Sequence, residues 1–175
     1  MSRLFLALPV PPEAAARLSA LLPRLPGRPV ALANLHLTVR FLGEIDEVAS
    51  DRLTAALDEA PLGGELEVAL GEMGAFPRPA RASVLWLAIV KGTERLTKLN
   101  GLVEEACEEA GLEPVDRPYA PHLTISRIRP AIDVRPVIAS YRFETVKWTA
   151  PELVLFQSHL GRGGAIYEPV ERFPL

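Results

Sequence analysis

Cysteine is almost missing from this chain of 175 residues: Cys107 stands alone, so no intramolecular disulfide can form and nothing supports an oxidising compartment. In "LTKLNGLVEEACEEAG" it falls beside Ala106 on the helical face of Leu96, Leu99 and Val103, the place of a small buried hydrophobe rather than of a nucleophile. An excess of basic charge is missing too. The formal net charge is −3, which excludes a protein that coats nucleic acid without specificity, and any phosphate ligand needs a local basic site. One stretch qualifies: between Arg117 and Arg129 stand three arginines, one histidine and no acid. No apolar run approaches the ~20 residues that span a bilayer, so no membrane partner is expected. The opening "MSRLFLALPVPPEAAARL" imitates a signal peptide, but "PPE" breaks its apolar run early. A strand followed by a helix with proline in its first turn accounts for the same residues, and a cytoplasmic chain is expected.

Several chemistries lack their motifs. There is no G-x-S-x-G, no H-E-x-x-H, no P-loop lysine motif and no clustered Cys/His set. "GRGG" at Gly161 to Gly164 reads as a turn between strands, not as a strand-to-helix phosphate loop. Low-complexity tracts and long like-charge runs are absent as well. With 49% hydrophobic and 23% charged residues, one packed domain or one compact pair of small lobes is expected.

What is present is a repeated tripeptide. Of three histidines, two open the same His-Leu-Thr unit: "HLTVRFLG" from His36 and "HLTISRIR" from His122, 86 residues apart. Around them the chain reads as strand (Leu4 to Val10), helix (Pro12 to Leu22), strand (Ala33 to Leu42), helix (Glu47 to Ala60) and two strands (Glu65 to Met73, Ser83 to Val90). A helix from Thr93 to Ala110, capped by Gly111, follows; then a strand (Pro121 to Arg127), a short helical segment (Val134 to Ser140) and three strands. Strict βαβ alternation is missing, so an α+β fold with antiparallel sheets is expected. Both HLT units fall in strands.

Alternation along a strand then puts His36, Thr38 and Arg40 on one face, with Leu35, Leu37, Val39 and Phe41 on the other. The second unit sets His122, Thr124 and Ser126 against Leu123 and Ile125. Brought together about a pseudo-twofold axis, the strands form a cleft with two facing histidines and two threonines. A neutral imidazole can take a proton from a nucleophile while a protonated one gives a proton to a leaving group, and both states coexist near pH 7. Threonine hydroxyls and arginine forks can hold phosphate oxygens. In-line phosphoryl transfer needs no more than this, and a bell-shaped pH–rate profile follows. A zinc site from His36, His122 and His159 finds no carboxylate partner on the HLT faces; His159, beside a turn, reads as a solvated loop residue. No metal and no cofactor are expected. One HLT unit alone would read as an amphipathic strand with its histidine in water; two units, each trailed by arginine, favour a site.

With these residues the sequence resembles the 2H phosphoesterases, and most closely the bacterial and archaeal RNA 2′,3′-cyclic phosphodiesterases, or 2′-5′ RNA ligases, of the LigT/ThpR type. The resemblance runs through "RLFLALPVPPE", "LHLTVRFLGEI", "PRPARASVLWLAIV", "RPYAPHLTISRIR" and "LFQSHLGRGGAIYEPVERFPL", essentially the whole chain. It implies a bilobal α+β fold, two related lobes with antiparallel sheets and flanking helices around a central cleft. It also implies metal-independent hydrolysis of RNA 2′,3′-cyclic phosphate to 2′-phosphate, with weak reversible 2′-5′ joining; separately, a monomer is expected. By position His36 would donate a proton to the departing O3′ and His122 would activate water, while Thr38 and Thr124 bind the phosphate. Arg127 would clamp it and Phe41 would stack on the base, although strand alternation puts both off the histidine face. Arg40, by alternation on that face, is a further substrate-binding candidate, and Tyr167 and Ser158 are candidates for the cleft rim. The alternatives are a nucleotide- or RNA-binding module without turnover, a sister 2H activity on small cyclic nucleotides or RNA ends, and a metal-dependent esterase.

Overall fold

The computed structural model describes residues 1–142 and 145–175. Among these described residues nine strands form one sheet in which every pairing is antiparallel. They are β1 (Ser2–Pro9), β2 (Arg28–Pro29), β3 (His36–Ile45), β4 (Leu66–Arg78), β5 (Arg81–Lys91), β6 (His122–Ile132), β7 (Lys147–Ala150), β8 (Glu152–Gly161) and β9 (Gly164–Pro174). The helices of the described residues are α1 (Pro12–Ala16), α2 (Glu47–Glu59), α3 (Thr93–Glu109) and α4 (Arg135–Ser140). The strand order is β7-β4-β5-β6-β3-β1-β8-β9, with β2 added beside β6. β3 and β6, which carry the HLT units, are central neighbours. Each has a long antiparallel partner on its outer side, β1 and β5 respectively.

The helices begin and end where local chemistry directs. Asp46 caps α2 by accepting the Ala49 amide at 2.8 Å. α3 ends in a left-handed Gly111, φ 82°, with the Gly111 amide on Glu108 O and the Leu112 amide on Cys107 O, a Schellman closure. Between those ends α3 buries Leu96, Leu99, Val103, Ala106 and Cys107 on one stripe. Each leucine buried this way contributes roughly 1.5–3 kcal/mol. Burial also pushes the Cys107 thiol up to about 11, which keeps it protonated and inert. Two expectations need adjusting. The first helix stops at Ala16 and gives way to turns and a 3-10 turn at Leu22–Arg24 instead of running to Leu22. The strand expected from Glu65 to Met73 runs on to Arg78 and turns directly into β5. No helix among the described residues is long and apolar enough to cross a membrane.

Candidate functional site

The two HLT strands meet at one point. β3 and β6 pair through Leu37 and Leu123, the residue after each histidine, and both leucines are fully buried. Residues opposite one another in an antiparallel pair share a face. The register therefore sets His36 across from Thr124 and Thr38 across from His122, all four half-buried on the face away from the leucines. The two imidazoles lie on the diagonal, where Cα atoms stand roughly 7–8 Å apart.

Each ring is held by the carbonyl two residues upstream. His36 Nδ1 donates to Asn34 O at 2.6 Å, and His122 Nδ1 donates to Ala120 O at 2.8 Å. A carbonyl only accepts, so each neutral ring carries its proton on Nδ1 and keeps Nε2 for proton transfer. Aromatic neighbours fix the ring planes. Phe5 lies 5.0 Å and Tyr167 5.2 Å from His36, the latter edge-on at 89°. Phe76 meets His122 edge-on at 5.0 Å, with Trp86 at 6.3 Å. Burial lowers the pKa of His36 below 6.5, against the opposing pull of the Asn34 carbonyl; the Arg127 charge adds to the lowering, as does any proton carried by the neighbouring His122. Its surroundings thus favour the neutral form of His36 in the free protein.

Strand alternation breaks three residues after each histidine. In β3 the pairs with β1 run from Ala7–Thr38 to Leu6–Arg40, leaving Val39 as an extra residue. In β6 the pairs with β5 run from Trp86–Thr124 to Leu85–Ser126, leaving Ile125 as an extra residue. Each is a β-bulge, and each reverses the faces beyond it. The expectation that Arg40 and Ser126 share the histidines' face is not met. Arg40 turns back onto α3, its Nε 2.7 Å from Glu104 Oε1 and its guanidinium donating to Glu113 O at 2.6 Å. Ser126 is 0% exposed and donates to Pro26 O at 2.7 Å. The same reversal brings the next residues round. Phe41, 57% exposed, stands opposite Phe5 with ring centroids 5.8 Å apart, and the charge of Arg127 bears on His36.

The profile of the 2′-5′ RNA ligase superfamily matches residues 10–162. The chain belongs to that superfamily. It is similar to the RNA 2′,3′-cyclic phosphodiesterase of Thermus thermophilus, 32% identical over 99% of this chain and 90% of the relative. It is also similar to that of Archaeoglobus fulgidus, 30% identical over 98% of this chain and 99% of the relative. Among solved structures, Escherichia coli LigT complexed with 3′-AMP superposes with a TM-score of 0.82 at 26% identity, over 99% of this chain and 98% of that one. The same protein complexed with NADP+ gives 0.79 over 99% and 97%. The α+β architecture with a central cleft is thus the architecture of this superfamily.

Within this member of the superfamily several residues around the cleft carry no sequence signal of their own. Asn34 supplies the carbonyl that holds His36, and its Nδ2 donates to Ala165 O of β9 at 2.8 Å, tying the histidine to the closing hairpin. Tyr119 donates to Thr38 O at 2.8 Å, and burial pushes its phenol upward, so it remains a donor. Trp86 lies flat over Gly74, where a Cβ would come within 2.3 Å of the indole. The nearest signals were "ANLHLT" and "RPYAPHLT", whose asparagine and tyrosine sit two and three residues before the histidines. Tyr167 reaches the cleft as expected of a rim residue; Ser158, its partner in the β8–β9 ladder, lies opposite it. His159, expected in a loop, instead lies within β8 opposite Ile166, half-exposed and paired with Glu168 at 2.9 Å. Among the described residues no three His, Cys, Asp or Glu side chains group as a metal site.

Proposed function

We propose that this chain hydrolyses the 2′,3′-cyclic phosphate end of RNA to a 2′-phosphate through His36 and His122, without a metal. The reading is supported most by the matched pair of imidazoles, each with Nδ1 tied to a carbonyl and Nε2 left for the substrate. Membership of the superfamily and relatives named RNA 2′,3′-cyclic phosphodiesterase support the substrate class. In this scheme Nε2 of neutral His122 takes a proton from water as its oxygen bonds to phosphorus. The P–O3′ bond breaks, and His36 gives its Nε2 proton to O3′, leaving a 3′-hydroxyl and a 2′-phosphate. His36 rests neutral, so the arriving phosphate anion must raise its affinity for the proton, as a nearby negative charge does. Thr38 and Thr124 hydrogen-bond the phosphate oxygens, Arg127 neutralises their charge, and Phe41 stacks on the terminal base. With a 5′-hydroxyl in place of water, the same steps would join the cyclic end through a 2′-5′ linkage as O3′ leaves, and their reverse would split that linkage back to the cyclic phosphate and the 5′-hydroxyl. The two strand units, each with its bulge, read as copies of one unit within a single bilobal domain, active as a monomer in the cytoplasm.

The test uses an oligoribonucleotide ending in a 2′,3′-cyclic phosphate, with EDTA present. A 2′-phosphate product, formed by the wild type at an EDTA-insensitive rate, is expected. A 3′-phosphate would reverse which bond breaks, loss of turnover in EDTA would favour a metal esterase, and tight binding without turnover would favour a binding module.

A further inference from the structure

The histidine face does not end at Arg127. Beyond the bulge in β6 it continues into an open groove of about 780 Å³, lined by Gly27, Arg28, Ser83, Val84, Arg127 and Arg129 among others. β3 leaves β6 after the Leu37–Leu123 contact, and β2 takes its place: Arg28 pairs with Arg127 and Pro29 with Ser126. Val84 of β5 pairs with Arg127 from the other side. Directly paired residues share a face, and Arg129, two residues on, shares it as well. Three arginines thus line one groove that contains no carboxylate; Ser83 borders it as well, its hydroxyl donating to Phe76 O at 3.4 Å. Among the described residues none of the three arginines has an ion-pair partner. The backbone is shaped for this approach. Gly27 has φ +81°, and a Cβ there would lie 2.5 Å from Arg127 O, so only glycine lets β2 close onto β6 at this place.

A strand rises ~3.3 Å per residue, which puts Arg129 roughly 16 Å beyond Thr124, past the span of one nucleotide held at the histidines. A cyclic phosphate ends its strand at the 3′ side, so any further phosphate of that strand lies on the 5′ side of the terminal nucleoside. We propose that Arg28 and Arg129, in the groove beyond Arg127, form a second anion site, which binds phosphate 5′ to the cyclic-phosphate nucleoside and makes RNA chains better substrates than bare cyclic mononucleotides. The proposal rests on the function proposed above and extends it to the strand behind the reacting end. Arginine is suited to the role, because its fork matches phosphate oxygens in pairs.

Arg28→Ala, Arg129→Ala and the double variant test it against three substrates: a cyclic mononucleoside phosphate without a 5′-phosphate, the same with one, and an oligoribonucleotide. The double variant should lose about tenfold or more in kcat/KM on the oligonucleotide, as for lost hydrogen bonds to a charged group, while its rate on the bare mononucleotide stays within twofold. The slope of log kcat/KM against log salt should flatten by ~0.7 for each phosphate contact removed. Equal losses on all three substrates, or none on the oligonucleotide, overturn the proposal. A loss shared by the 5′-phosphorylated mononucleotide and the oligonucleotide assigns the groove to one 5′-phosphate; a loss confined to the oligonucleotide assigns it to the chain. Anisotropy of a labelled oligonucleotide with a 2′-phosphate end reads the groove without catalysis. Weaker binding by the double variant there keeps this proposal standing even where no turnover is found, and unchanged binding removes it.

Discussion

The surroundings of His36 and of His122 share a backbone and differ in what the backbone presents. In both, the imidazole leans on the carbonyl two residues upstream, a leucine locks the strand into the core, and a bulge follows three residues on. The carbonyl of the bulged residue is satisfied differently: the Asn100 side chain donates to Val39 O at 2.9 Å, whereas the Val30 amide of the chain beyond β2 donates to Ile125 O at 2.9 Å. The residue after the bulge turns inward, as Arg40 onto α3 and as Ser126 into the core. The next residue turns to the cleft, an aromatic ring in one unit (Phe41) and a guanidinium in the other (Arg127). Phe5, Phe156 and Tyr167 extend the aromatic side, and Arg28 and Arg129 the basic side. One geometry thus carries an aromatic flank and a basic flank on either side of the two imidazoles. Under the proposed function the aromatic flank would take the base and the basic flank the phosphate, so a nucleotide would enter in one direction.

This comparison can be broken at its symmetric part first. His36→Ala and His122→Ala should each lower kcat/KM on a cyclic phosphate by 10² to 10⁴-fold, the usual worth of a positioned acid or base. The double variant should fall little further, because groups that act as a unit are not additive. A single variant near wild-type rate would show that only one unit is catalytic.

The next effects separate the two arginines. Arg127→Ala should cost roughly 10- to 100-fold in kcat/KM, as for lost charge-assisted hydrogen bonds, with little change in melting temperature. Arg40→Ala should do the opposite. It leaves the partly buried Glu104 without its partner and lowers stability by about 1–3 kcal/mol, read by denaturant unfolding, while the rate stays near wild type. Phe41→Ala should raise KM by roughly 5-fold or more, with a larger effect for a purine than for a pyrimidine end, because base–aromatic stacking is worth ~1–3 kcal/mol per base. The smallest effect belongs to Ser126→Ala. It removes one buried hydroxyl bond to Pro26 O and should cost about 1 kcal/mol of stability, with no kinetic signature on a cyclic mononucleotide.

Arg40 and Arg127 also mark where sequence reading stops. Leu37, Leu123 and the two histidines were legible because period-two alternation holds up to the threonine of each unit. A bulge adds one residue, and nothing in "TVRF" or "TISR" distinguishes an extra residue from a regular one, so every face assigned beyond it was inverted. That inversion put Arg40 and Ser126 on the wrong side and kept Phe41 and Arg127 out of the cleft. β2 escaped notice because two residues carry no alternation at all. The Asn34 and Ala120 carbonyls escaped because main-chain acceptors have no residue type. By contrast α3 was readable nearly to the residue, since its apolar stripe and terminal glycine are local signals.

The measurement that bears most directly on the bulged cleft is an NMR titration of the three histidines, assigned by substitution, in wild type and Arg127→Ala. His36 should titrate below 6.5 in the wild type. Its pKa should rise when the Arg127 charge is removed, should stay low in Arg127→Lys, and should rise when inorganic phosphate binds. The direction also sets a stability effect: a folded-state pKa below the unfolded value means that His36 favours the folded state above ~6.5 and loses that contribution as pH falls. A His36 that titrates at its ordinary value and ignores the loss of Arg127 would contradict the account, because Arg127 would then lie outside the cleft.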